Sequence, residues 1–150
     1  MEPPDWDAWA ADLTSRLRRA FLARLGPERG SEALSIALAY AWEHRTRVRS
    51  LDNPAGYLFR LGVRGVRDRR RHPLFPPAPR AALPDFEPGL PAAIGALSPS
   101  QRVAVLLVYA YGWTAREVAE IQGISVSSVE THLQRGMRHL RHRLGVRDEG

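Results

Sequence analysis

Arginine is the residue type in this sequence best suited to binding another molecule, because its planar guanidinium donates parallel hydrogen bonds to phosphate oxygens. The 150 residues include 22 basic side chains, all of them arginine, and 16 acids, for a net charge of +6 and a pI near 10.9. Nine of these arginines fall within residues 45–72, against two acids. This local excess of positive charge predicts a polyanion, and nucleic acid above all, as the partner.

The basic stretch predicts a helix that is positive along one edge. Arg60, Arg64 and Arg67 are four and three residues apart, so they share one stripe of a helix. The Asn53-Pro54 pair begins this helix, since asparagine is a favoured cap and proline a favoured first residue. Such a helix fits nucleic-acid binding. Binding to a membrane surface is the alternative, but the apolar face of the helix is needed for the core of its domain.

A second candidate surface lies on the last predicted helix, which Ser125 caps and Gly145 ends. Its apolar residues recur at three and four, so the opposite face is polar. That face begins with small hydroxyl side chains and continues with longer polar and charged ones: Ser127, Ser128, Glu130, Thr131, Gln134, Arg135 and Arg138. These residue types contact phosphates and base edges, with arginine to guanine as the most useful contact.

The sequence lacks the residue patterns that are typical of enzyme active sites. The absence of cysteine excludes disulfides, thiolate zinc sites and thiol nucleophiles. His139 and His142 are three residues apart, but no carboxylate stands at a matching spacing. There is no phosphate-cradling glycine loop, no pair of catalytic carboxylates and no nucleophile motif. We therefore predict a protein without catalytic activity, cofactor or metal.

Helices must position both surfaces, because apolar residues recur at three and four and no segment alternates at two. The sequence predicts an all-α fold with two small helical domains, residues 1–72 and 92–150. Residues 73–91 form the linker between them. The linker holds seven of the twelve prolines, which oppose both helix and strand. In the first domain we expect helices over about 5–25, 31–47 and 54–72. Trp42 and Trp113 lie at helix ends beside apolar residues and are assigned to the core.

The second domain contains the pattern of a helix-turn-helix. Ser98 with Gln101 and Thr114 with Glu117 are capping boxes, each of which begins a helix. Gly123 then supplies the left-handed residue of a tight turn before the last helix. In this motif the second helix enters the major groove of DNA. The polar face of the last helix is therefore predicted to contact DNA.

The order of these segments resembles the compact two-domain bacterial RNA polymerase sigma factors of the extracytoplasmic-function type. Residues 96–144 are similar to region four of these proteins, and residues 31–72 resemble the later part of region two. The best landmarks in region two are Asn53-Pro54 and the arginine-rich end. The resemblance implies core RNA polymerase and promoter DNA as partners, with an anti-sigma protein as a candidate third.

The resemblance also assigns roles to residues by position. It implies that region two docks on the polymerase clamp and captures the unstacked minus-ten strand, while region four recognises the minus-thirty-five duplex. The docking helix carries Glu32, Leu34, Ser35, Leu38 and Trp42. The minus-ten element would be held by Asn53, Arg60, Arg64 and Arg67, and the upstream element by Ser127, Ser128, Thr131 and Arg135.

Four positions depart from the family pattern. The docking helix has Ser35 and Ile36 where Gln-Glu is usual, Gly65 replaces a common Asn, and Glu130 stands where Lys is common. A stand-alone helix-turn-helix transcription regulator of the LuxR type is the alternative, since VETHL followed by LGV also resembles those effector domains. The basic helix and the NPAGYLF segment favour the sigma factor.

The N-terminal segment MEPPDWDAWAADL is acidic and interrupted, unlike a secretory signal. No apolar run approaches the ~20 residues of a membrane span. We therefore expect a cytoplasmic protein with no membrane partner.

Overall fold

The computed structural model of the chain describes residues 6–70 and 89–145. These residues contain helices and no strand, which confirms the predicted all-α class. The first described part contains α1 (Trp6–Leu25), α2 (Pro27–Glu43), α3 (Arg45–Arg49) and α4 (Pro54–Arg70). The second contains α5 (Leu90–Gly95), α6 (Pro99–Val105), α7 (Ala115–Gln122) and α8 (Val126–Leu144). A π-helical turn, Leu106–Ala110, continues α6.

Helix α2 begins earlier than the sequence pattern predicted. We expected Ser31 to begin it, but Pro27 occupies its first turn and Gly26 precedes it with a φ of 83°. Proline suits this position because its missing N–H would be unpaired there. Gly30, which then lies inside the helix, has no space for a side chain, since a Cβ atom would be 2.9 Å from the carbonyl oxygen of Phe21. The close approach packs α2 against α1.

The predicted start and stop signals in the second part are confirmed. Both capping boxes form, one at Ser98 before α6 and one at Thr114 before α7. Gly123 and Gly145 both adopt the left-handed conformation, with a φ of 68°. The short helices α3 and α5 were not predicted, because five or six residues show too little periodicity.

The two described parts share one hydrophobic core. Leu17 and Phe21 of α1 belong to the same buried cluster as Val103, Leu107 and Val118 from the second part. Helix α1 packs against α6 and helix α4 packs against α7. The division into domains at 73–91 stays a prediction, since residues 73–88 lie outside the described ranges. What the packing does decide is that the basic helix and the helix-turn-helix are neighbours.

Two aromatic residues assigned to the core have different environments. Trp113 is buried, with 8% of its surface exposed, as predicted. The prediction for Trp42 is wrong, because 60% of its surface is exposed at the end of α2. Val126, the first residue of α8, is another apolar residue on the surface, with 39% of its area exposed. Within residues 6–70 and 89–145, no helix combines the length and the apolar character needed to cross a membrane.

Candidate nucleic-acid interface

The helix-turn-helix joint is held by hydrogen bonds and by buried apolar residues on both sides of the turn. The Ile124 N–H donates to the Ala119 carbonyl oxygen at 3.1 Å, and the Gly123 N–H donates to the Glu120 carbonyl oxygen at 3.3 Å. Ile121 before the turn and Val129 after it are fully buried. Gly123 ends α7 with a φ of 68°, a conformation that disfavours a side chain. The angle between α7 and α8 is therefore set by packing and by local bonds together.

The hydroxyl groups at the start of α8 are arranged by the helix cap. The Ser128 N–H donates to Ser125 Oγ at 3.1 Å, and Ser125 Oγ donates to Ser128 Oγ at 2.9 Å. Thr131 Oγ1 donates to the carbonyl oxygen of Ser127 at 3.0 Å. Because the Thr131 proton is used within the helix, its exposed oxygen offers lone pairs to a partner. Thr131 can therefore accept a hydrogen bond from a base amine.

The longer polar side chains of α8 lie along two edges of the helix. Glu130, Gln134 and Arg138 line a groove of about 650 Å³ that Tyr109 borders from the π-helical turn. Arg135 is exposed and does not line this groove. All seven predicted side chains of this surface are at least partly exposed, as nucleic-acid contact requires. The polar face of α8 is therefore exposed, and a groove runs along one of its edges.

Tyr109 is a candidate contact residue that the sequence analysis missed. It is 64% exposed, and it borders the groove beside α8 although it belongs to a different segment. Aromatic side chains stack on bases and pack on sugars. The sequence signal was the tyrosine pair in YAYGW at the end of a helix, but its position relative to α8 depends on packing.

Asn53, predicted to hold the minus-ten element, is engaged inside the protein. Its Oδ1 accepts from the Gly56 N–H at 2.9 Å and so caps α4. Its Nδ2 donates to the carbonyl oxygen of Glu120 in α7 at 2.7 Å. Arg16 of α1 reaches the carboxylate of the same Glu120 at 3.4 Å. In this arrangement the Asn53 amide joins the basic helix to the helix-turn-helix, and both of its polar atoms bond within the chain.

The three arginines of the predicted stripe on α4 lie in different surroundings. The guanidinium of Arg60 lies so close to Gly123 that a Cβ atom there would clash with it. Arg64 is exposed to solvent. Arg67 is also exposed, and it borders a cavity between α1, α2, α4 and α6. All three side chains are exposed, but Arg60 also contacts the turn at Gly123 and Arg67 also borders this cavity.

Only some of the residues assigned to polymerase docking on α2 are exposed on the surface. Leu34 lies in the core with 9% of its surface exposed, which corrects its place among surface contacts. Leu38 is partly buried against the same core. Ser35 is exposed and its Oγ donates to the Ser31 carbonyl at 3.2 Å. Glu32 is partly exposed beside it.

Trp42 is the largest exposed apolar side chain on the docking helix. Its ring lies 5.0 Å from the Arg45 guanidinium and stands edge-on to the ring of Trp6 at 6.4 Å. Together with Arg49 they line an open groove of about 540 Å³.

Among the described residues, no group of three histidine, aspartate or glutamate side chains could hold a metal ion.

Comparisons with known proteins agree with this architecture. Residues 89–140, which span α5 to most of α8, match the family model described as sigma-70, region 4. The fold is similar to that of the sigma factor RpoE from Bartonella quintana, determined in a co-crystal with the anti-sigma factor NepR. The TM-score is 0.63 at 18% identity, and the match covers 96% of this chain and 99% of that one. A search of curated proteins finds no match. The predicted resemblance to sigma factors is thus confirmed by sequence in region four, and the fold of the chain is similar to that of a sigma factor.

Proposed function

We propose that this chain is a sigma factor of the extracytoplasmic-function type, which binds core RNA polymerase and directs transcription initiation at specific promoters. The observation that carries the proposal is the exposed polar face of α8, held by a capped and packed turn within the segment that matches sigma-70 region 4. Such a helix enters the major groove and recognises bases through a few side chains.

Region four acts through α8 on the upstream promoter duplex. Ser127, Ser128 and Thr131 lie near the helix N-terminus, where recognition helices contact base edges. Arg135 is the best candidate for a paired contact with guanine, since it is exposed and free of the groove beside the helix. Arg138, Gln134 and Glu130 extend the contact along the groove.

Region two acts on polymerase and on the minus-ten element. Glu32, Ser35, Leu38 and Trp42 form the surface that docks on polymerase. The minus-ten strand is held by Asn53 and by the stripe of Arg60, Arg64 and Arg67. The hydrogen bond from Asn53 to Glu120 must break before the Asn53 amide nitrogen can donate to DNA.

The chain contributes recognition and no chemistry of its own, because polymerase supplies the catalytic site. We place it in the cytoplasm, where polymerase and the chromosome are found. The RpoE neighbour was crystallised with an anti-sigma factor, which supports an anti-sigma protein as a further partner of this chain.

Size-exclusion chromatography of the full chain with bacterial core RNA polymerase tests the proposal. We expect the chain to elute with polymerase, and Trp42→Ala to weaken this association. Leu22→Ala is the matched control, because it removes an exposed apolar side chain from α1, outside the docking surface.

A chain that binds duplex DNA but does not elute with polymerase would contradict the proposal. That result would favour the stand-alone regulator instead. If the chain does elute with polymerase, transcription from a library of promoter fragments then identifies the sequence that it recognises.

A further inference from the structure

A cavity of about 500 Å³ lies where the two described parts of the chain meet. Its walls come from the end of α1, the start of α2, the middle of α4 and the start of α6. Seven residues line it: Arg24, Leu25, Arg29, Val63, Arg67, Pro99 and Arg102. Neither of the two DNA-binding surfaces proposed above accounts for three of its four arginines.

The cavity concentrates positive charge, since four of its seven described lining residues are arginines. Arg24, Arg29, Arg67 and Arg102 come from four different helices and line the same cavity, a set we call the arginine cluster. Burial lowers the pKa of Arg24, and the charges of Arg102, Arg67 and Arg29 lower it further. Like charges in a partly buried site repel each other. An anion placed among them would remove this repulsion.

One atom of the cluster also lacks a hydrogen-bond acceptor. The Nε of Arg102 is buried and has no hydrogen-bond partner among the described residues. A buried donor without an acceptor costs free energy, which a ligand oxygen can recover. The cavity therefore presents charge and at least one buried donor.

We propose that the arginine cluster binds a compact, multiply charged phosphate compound, such as the triphosphate group of a nucleotide. Guanidinium groups bind phosphate oxygens in pairs of parallel hydrogen bonds, and several of them can share one polyphosphate. Duplex DNA spreads its charges along the helix at about one per ~1.7 Å. A convergent cluster in a cavity suits a concentrated anion better than an extended backbone.

The position of the cluster gives such a ligand a consequence for the whole chain. Arg24, Arg29 and Arg67 belong to the first described part, while Arg102 belongs to the second. A ligand bound to all four would stabilise the arrangement in which α4 packs against α7. It would also engage Arg67, which then could not hold the minus-ten strand. This ligand site is additional to the proposed function and does not depend on it.

Isothermal titration calorimetry of the full chain with inorganic triphosphate, at physiological salt, tests the proposal. We expect saturable binding of one triphosphate per chain and weaker binding of inorganic phosphate alone. Arg102→Gln should lower the affinity at least tenfold. Arg18→Gln, which removes the same charge from an exposed position on α1, should leave the affinity unchanged.

Thermal unfolding provides the second measurement. Triphosphate should raise the Tm of the wild type but not that of Arg102→Gln. Without ligand, Arg102→Gln should unfold no earlier than the wild type, because it removes repulsion within the cluster. This result separates lost binding from lost folding.

Three outcomes would overturn the proposal. The first is the absence of saturable triphosphate binding, and the second is an equal loss of affinity in Arg18→Gln. The third is binding of a single-stranded oligonucleotide that Arg102→Gln abolishes, while triphosphate does not bind. Association with polymerase is measured without triphosphate, so failure of the sigma-factor proposal would be seen separately.

Discussion

The polar face of α8 and the arginine stripe of α4 were predicted from the same kind of helical spacing, yet the structure treats them differently. On α8 the predicted side chains stay at least partly exposed. On α4 the three arginines are exposed as well, but Arg60 lies against Gly123 and Arg67 borders a cavity between four helices. Helical periodicity shows which residues share a face. It does not show which other segments contact that face.

The difference has a physical origin in the joint between α4 and α7. Gly56 has no side chain, and a Cβ atom there would lie 2.8 Å from the Glu120 carbonyl oxygen. This close approach lets Asn53 reach the same oxygen. Helix α8 packs through its apolar stripe on α6 and α7, which leaves its polar face open. The two surfaces can therefore be tested separately.

The largest expected effect is on the joint that holds the α8 face in place. Ile121→Ala should lower the free energy of unfolding by about 2–5 kcal/mol, because the side chain is fully buried next to the turn. Urea denaturation measures the change. Val126→Ala, at an exposed position of α8, should change stability by about 0.5 kcal/mol or less. Equal losses would mean that the core does not set the joint.

Arg135→Ala tests the open surface directly. Binding to a duplex carrying the upstream element should weaken by about 1–3 kcal/mol, with a changed sequence preference, because a paired contact with a base is lost. Fluorescence anisotropy with a set of duplexes measures it. Arg64→Ala on α4 is the matched control, since it removes an exposed arginine from the other surface. A uniform loss on all sequences would assign Arg135 to phosphate contact.

Gly123→Ala tests the contact between α4 and the turn. It should lower the free energy of unfolding by about 1–3 kcal/mol, because the backbone conformation is left-handed and the new methyl group would meet Arg60. Gly145→Ala is the control, with the same φ of 68° and nothing within 4 Å of the added atom. The extra loss at Gly123 should fall in an Arg60→Ala background. An unchanged loss there would mean that Arg60 does not pack on the turn.

Asn53→Asp should produce the smallest effect. An aspartate keeps the cap on the Gly56 N–H but cannot donate to the Glu120 carbonyl, so about 0.5–1.5 kcal/mol of stability should be lost. Hydrogen exchange of the α7 amides should become faster in this variant. Asn53→Ala, which loses the cap as well, should destabilise the chain more. If Asn53→Asp is as stable as the wild type, the bond to Glu120 contributes nothing.

Several features of the candidate site were accessible from the sequence because they depend on neighbours within one helical turn. The capping boxes at Ser98 and Thr114 and the left-handed glycines at 123 and 145 were predicted at the right positions. The exposed face of α8 followed from its apolar stripe. The arginine cluster did not, since no periodicity marks side chains from four different helices.

The sequence alone determined the helical class, the start and end of the helix-turn-helix and the side chains that share the face of α8. These follow from interactions between residues a few positions apart. Only the tertiary structure decided that Leu34 is buried, that Trp42 is exposed and that Asn53 bonds to Glu120, 67 residues away. Such contacts arise when packing of the shared core brings distant segments together, and local spacing carries no information about them.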